Sequence, residues 1–145
     1  MIKIICLGKL KEKYLSELVE DYLKRINKYH KINLIELKDE EDLVSEAKNI
    51  KKYIGNNDFV VTLEIEGKSY TSEDFAKFID NTFIKTNTIT FIIGSSTGLD
   101  KSIKDISNLA LSFSSITFPH GLFRAILLEQ IYRSFKINNN ESYHK

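Results

Sequence analysis

Between Gly121 and Phe135 the chain carries Leu122, Phe123, Ala125, Ile126, Leu127, Leu128, Ile131, Tyr132 and Phe135. At 100° per residue these side chains spread right round a helix, and a helix without a solvated face must be buried on more than one side. One cover is the protein's own sheet. In a chain of 145 residues the simplest second cover is another copy, so a homodimer is expected. Glu129 and Arg133 stand one turn apart on this helix, a charge pair inside otherwise apolar surface. Such a pair is costly unless mutually satisfied, which makes it a candidate for function.

Upstream, apolar runs alternate with helical periodicities. Ile2 to Leu7 is nearly continuous and closed by Gly8, as for a strand covered on both faces. Residues 12–27 place Leu15, Leu18, Val19, Tyr22, Leu23 and Ile26 at spacings of three and four, predicting an amphipathic helix. Residues 32–37 predict a second strand. Residues 39–53 predict a charged helix whose acidic first turn, Asp39 to Asp42, and late lysines suit its dipole. Residues 58–63 predict a third strand, with Gly67 marking a turn. Thr71 or Ser72 caps the next helix, which buries Phe75, Phe78, Ile79 and Phe83. Residues 88–93 predict a fourth strand, closed by Gly94-Ser95-Ser96-Thr97-Gly98. The expectation is an α/β fold, a mostly parallel sheet flanked by helices, forming one domain over residues 1–145.

A hydrophobic content of 42% and a charged content of 28% exclude a disordered or fibrous chain. The lone Cys6 allows no disulfide framework, and three dispersed histidines show no ligand spacing, so no metal is expected. The first apolar run is too short for a signal peptide and no window approaches a membrane span, so a cytoplasmic protein without a membrane partner is expected. A net charge of +1 argues against a general nucleic-acid coat protein. Its distribution is uneven: residues 1–31 hold eight Lys/Arg against four Asp/Glu, residues 32–100 seven against thirteen, and residues 101–145 six against three. Two basic ends that meet would form a basic patch; scattered, solvated lysines are the alternative.

Ligands of a parallel sheet gather beyond the carboxyl ends of its strands, where the backbone offers unpaired N–H groups. Three segments qualify: the residues after Leu63, the loop Gly94 to Gly98, and Ser112 to Pro119. The glycine loop has neither dinucleotide nor P-loop spacing and reads either as a tight turn or as a ligand cradle. Ser112, Ser114, Ser115 and Thr117 alternate with Phe113, Ile116 and Phe118, either a pocket wall suited to a flat ring or a Ser/Thr-rich edge strand. His120 and Arg124 share a helix face. Tyr143 and His144 belong to a short polar tail.

The run Thr117-Phe118-Pro119-His120-Gly121-Leu122-Phe123-Arg124, then Leu128-Glu129-Gln130-Ile131-Tyr132-Arg133, then Tyr143-His144-Lys145 resembles the SPOUT methyltransferases, in particular a small bacterial branch acting on ribosomal RNA. The likeness extends along the chain through Gly8-Lys9-Leu10-Lys11, Thr62-Leu63-Glu64-Ile65, Gly67-Lys68, and Ile92-Ile93-Gly94 with Gly98-Leu99. The sequence departs from common family residues at Ser95, Gly121 and Ser142. The resemblance implies a C-terminal trefoil knot, with the knot and dimer segment roughly over residues 90–145, an exception to ordinary topology. It also implies a homodimer. The cofactor it implies is S-adenosyl-L-methionine, bound by Leu63, Gly94, Phe113, Ser114, Ser115, Ile116, Thr117 and Phe118. The implied substrate is N3 of a pseudouridine in 23S rRNA of the assembled ribosome.

Under that resemblance His144 is the general base, with Tyr143 positioning or stacking, and Arg133, oriented by Glu129, stabilises charge on the uracil carbonyls. His120 and Arg124 serve knot structure or RNA contact. The tail is expected to order only when cofactor or ribosome is present. A SPOUT enzyme acting on tRNA, or a ribosome-binding module without catalysis, are the alternatives.

Overall fold

The apolar runs nearest the start of the chain and before Gly94 become the centre of one sheet. The computed structural model describes residues 1–145. Its elements run β1 (Ile2–Leu7), α1 (Lys13–Asn27), β2 (Ile32–Leu37), α2 (Leu43–Lys51), β3 (Phe59–Ser69), α3 (Ser72–Lys85), β4 (Ile89–Ile93), α4 (Lys101–Ile106), β5 (Leu109–Ser112) and α5 (His120–Asn138). The strand order is β2-β1-β4-β3-β5 and every pairing is parallel.

Alternation along the strands divides the core into two layers. Ile2, Ile4 and Cys6 face one side with Phe75, Phe91, Leu127, Leu128 and Ile131, beneath α1, α3 and α5. Ile5 and Leu7 face the other with Ala47, Ile50, Ile92 and Ile103, beneath α2 and α4. All five residues of β4 are buried, which is why this run shows no polar alternation. Each fully buried isoleucine or leucine contributes about 1.5–3 kcal/mol. Burial also pushes the Cys6 thiol up to about 12, far from any nucleophilic role.

The apolar circumference of α5 is covered mostly within one protomer. The helix packs against α1 and α3, and Ala125, Leu127, Leu128, Ile131, Tyr132 and Phe135 are buried. Between Leu122 and Arg133 the residues left half-buried or exposed are Leu122, Phe123, Ile126, Glu129, Gln130 and Arg133, of which Leu122 is the exposed one. The cover expected from a second copy is thus supplied in large part by α1 and α3 of the same chain.

Other departures have local causes. The helix expected from Asp39 starts at Leu43, since the Asp42 carboxylate accepts a hydrogen bond from the Ser45 N–H at 2.7 Å and caps it. Gly67 is not a turn but lies inside β3. Leu63 and Lys68 both register with Leu111 of β5, so Glu64 to Gly67 form an irregular excursion. A Cβ on Gly67 would lie 2.7 Å from the Leu111 backbone carbon and 2.8 Å from the Ala110 carbonyl; glycine stands there because one main chain passes directly against another. Neither α4 nor β5, six and four residues long, is announced by a sequence period. β5 is an edge strand that ends at Ser112, which leaves residues 113–119 as a loop.

Candidate active site

The irregular stretch of β3 at Leu63 to Glu66 and the loops after β4 and β5 line a cleft of about 430 Å³. Leu63, Ile93, Leu99, Leu111, Phe113, Ile116, Phe118 and Phe123 give it apolar walls, and Glu64 and Glu66 line it with carboxylates. Phe123 is the aromatic hub, 5.5 Å from the Phe113 ring and stacked 6.1 Å from Phe118. The glycine loop closes on itself through a bridge between Ser95 and Gly98. A Cβ on Gly94 would meet the Gly98 oxygen at 2.5 Å, and Gly98 has φ +89°, so both glycines are conformational requirements. The loop is anchored from below, where the Ser95 hydroxyl donates to the buried Glu46 carboxylate at 3.0 Å while the Glu40 N–H donates to its other oxygen at 3.1 Å.

Of the residues expected around a cofactor, Leu63, Gly94, Phe113, Ser114, Ile116, Thr117 and Phe118 line this cleft; Ser115 does not. The Ile116 N–H donates to the Ser114 hydroxyl at 2.9 Å, and this tight local turn leaves Ser115 exposed at its tip. Lining residues that no pattern announced include Leu99 and Leu111, which become neighbours only through the sheet order. A flat apolar ring with a polar, cationic end fits such walls, with glycine-loop backbone and two carboxylates at hand.

The second group lies at the far end of α5. Arg133 grips Glu129 through Nε at 3.0 Å and Nη2 at 2.7 Å, and the Tyr143 hydroxyl donates to the same carboxylate oxygen at 3.1 Å. The guanidinium also lies 5.0 Å from the Tyr143 ring centre. Its Nη1 contacts His144 Nδ1 at 2.9 Å, and His144 Nε2 contacts Glu73 Oε1 at 2.7 Å. Guanidinium has only donors; Nδ1 therefore accepts and Nε2–H donates, which assigns the imidazole as neutral with one tautomer. The hydrogen bond from His144 holds the Glu73 carboxyl below its usual range. The Glu129 hydrogen bonds raise Arg133; desolvation, then hydrogen bonds with Tyr22 and Glu129, raise the Tyr143 phenol. Ser72 and Gln130 complete the frame, Ser72 donating to Gln130 at 2.8 Å and Gln130 to Glu129 at 2.8 Å. Glu73 was invisible to sequence reasoning because it is 71 positions from His144.

His120 is exposed at the first turn of α5, between the cleft and a neighbouring pocket. Arg124 is 2% exposed and donates to Glu36 at 2.6 Å and to the Gly8 carbonyl at 3.1 Å. It ties α5 to β1 and β2, leaving no face of the guanidinium for RNA; its Nε has no partner. His120 and Arg133 are thirteen residues apart, about 20 Å along the helix axis. One protomer therefore holds the cleft and the Arg133–His144 cluster at opposite ends of α5.

The fold and cleft define a three-layer parallel α/β protein with a ligand site beyond the carboxyl ends of its strands. The chain belongs to the SPOUT methyltransferase family: the family model described as "Predicted SPOUT methyltransferase" matches residues 1–144. A Methanococcus maripaludis relative is 51% identical over 99% of both chains. The ribosomal RNA large subunit methyltransferase H of Clostridium botulinum (strain Alaska E43) is 46% identical, again over 99% of both. Among solved structures, a "probable methylase family protein" from Haemophilus influenzae superposes with a TM-score of 0.60 at 12% identity, over 99% of this chain and 70% of that one. The SpoU methyltransferase AviRb of Streptomyces viridochromogenes, solved with AdoMet, gives 0.50 at 8% identity over 95% and 60%. These two share the fold.

Proposed function

We propose that the protein is a large-subunit rRNA methyltransferase that transfers the methyl group of S-adenosylmethionine to N3 of a pseudouridine in 23S rRNA, acting on the assembled ribosome in the cytoplasm. When bound, the cofactor would supply an electrophilic methyl group carried on a sulfonium, a good leaving group. Leu63, Gly94, Phe113, Ser114, Ile116, Thr117 and Phe118 would hold it, and the chain's remaining task is to align N3 and remove its proton. The observation that carries the reading is the Glu129–Arg133–His144 arrangement. Arg133 Nη1 and His144 Nδ1 present a donor beside an acceptor, the complement of an imide, whose carbonyl oxygen lies beside its N3–H. As the base enters, Arg133 turns from His144 to the carbonyl, where it stabilises the developing negative charge, and Nδ1 takes the proton. Glu73 keeps the imidazole in the tautomer that makes Nδ1 the base.

The reading includes a homodimer. In it, the partly covered face of α5 around Leu122 and Ile126 meets the same face of a second copy about a two-fold axis near Ile126. Such an axis sets the His120 end of one α5 beside the Arg133 end of its partner, closing the 20 Å separation (about, by helical rise) that a single protomer leaves. It also includes a knotted C-terminal segment, the fold that the family resemblance implies. The test is methyl transfer from labelled cofactor to assembled ribosomes, protein-free 23S rRNA and tRNA. Transfer to N3 of pseudouridine on ribosomes is the expected result; transfer to tRNA alone overturns the substrate assignment.

A further inference from the structure

Between α3 and the edge strand β5 lies a groove of about 620 Å³, away from the cofactor cleft. Lys68, Lys77 and Lys85 line it together with Tyr70, Asn81 and Asp74. None of the three lysines has a carboxylate within ion-pair distance; the ion pairs of the chain employ other cations. This is notable in a segment where thirteen acidic residues outnumber seven basic ones. Lys77, Asn81 and Lys85 follow one another at four-residue steps along one face of α3, about 6 Å apart along the axis. Across from them Lys68 Nζ lies 5.3 Å from the Tyr70 ring centre, and Tyr70 in turn packs 6.1 Å from Phe78. The one carboxylate, Asp74, sits in the first turn of α3, where the helix dipole already favours it.

Unpaired cations on a concave wall focus a positive potential. Regularly spaced amine and amide donors beside a propped aromatic ring match a sugar–phosphate strand with an unstacked base. The groove also starts in the right place, for Glu73, which holds His144, is one helical turn before Lys77. We propose that this groove binds the phosphodiester backbone of the substrate RNA flanking the target nucleotide. The proposal rests on the rRNA methyltransferase reading and adds to it where the RNA strand runs.

The experiment is a salt series of binding and initial-rate methylation with full-length wild type, Lys77→Gln/Lys85→Gln, and Lys77→Arg/Lys85→Arg, using assembled ribosomes and protein-free 23S rRNA. The glutamine pair is expected to lower the slope of log affinity against log salt by about 0.7 for each lysine and to raise KM about tenfold, with kcat at saturation and cofactor affinity unchanged. The arginine pair retains the wild-type slope. An unchanged slope and KM in a folded glutamine variant, beside an active wild type, overturns the groove while leaving the methyltransferase reading intact. A slope and KM that change as much in the arginine pair as in the glutamine pair also overturn it, because the cationic charge is then not what the lysines supply. A wild type that methylates neither substrate overturns the parent reading, and the groove assignment falls with it.

Discussion

Position 144 shows how one side chain is specified by three others. Arg133 occupies Nδ1, Glu73 occupies Nε2, and Glu129 holds Arg133 in place. If His144 is the proton acceptor, His144→Ala lowers single-turnover methylation at least ~10²-fold while cofactor affinity, measured by calorimetry, is unchanged. A wild-type rate in that variant removes His144 from the role. Asp58 answers a different question at the same scale. Burial works against its charge, yet hydrogen bonds from Lys3, Gly55 and Thr90 outweigh it and hold the carboxyl below the usual range; Lys3 Nζ stands 2.6 Å away. A depressed folded pKa contributes stability that is fully present above the unfolded value, ~3.9, and is lost as pH falls through the folded one. Asp58→Asn is therefore expected to cost about 1–3 kcal/mol at pH 7 and to flatten the loss of stability below ~4, both read by urea denaturation.

Among the elements, β3 carries the sharpest constraint. Gly67→Ala would drive a methyl group into the Ala110–Leu111 backbone, and a main chain cannot swing aside as a side chain can. A loss of about 1–3 kcal/mol is expected, seen as a lower denaturation midpoint with disturbed cofactor binding, since Leu111 also lines the cleft. A stable, fully binding alanine variant would contradict the tight crossing. The same element shows where sequence reasoning stops. β1 and β4 were legible as short continuous apolar runs, and α1 and α3 because each buries a periodic set of side chains. The end of β3 was not, because Gly67 looks alike in a turn and at a crossing. α4 and β5 are too short to display a period, and Ser115 faces outward through a two-residue turn that alternation does not encode. In the candidate site, the Glu129–Arg133 pair was legible from helical spacing alone. The roles given to Tyr143 and His144 came through family resemblance, and Glu73 from neither.

For the molecule as a whole, the two ends of α5 pose the main question. If the active centre is completed across a two-fold axis, then mixing a protein altered only in the cleft, Gly94→Val, with one altered only in the tail, His144→Ala, recovers activity that neither has alone. Subunit exchange followed by a methylation assay measures this. Mixtures as inactive as their components would place the entire reaction in one protomer. Ile126→Glu provides the matching control, expected to convert a dimer to a folded monomer in light scattering.

The middle of the sheet also governs how the chain is made. β4 is dry on both faces, and one of its neighbours, β1, pairs Ile2 with Ile89. The chain must thus close a loop of nearly ninety residues before that strand has shelter, an entropic toll that slows folding. Until then Ile89–Ile93 is a naked sticky tape. Recovery of soluble protein after dilution from denaturant will thus depend on how crowded the refolding mixture is, and variants weakening α5 will be lost to clumping before their native state is ever populated.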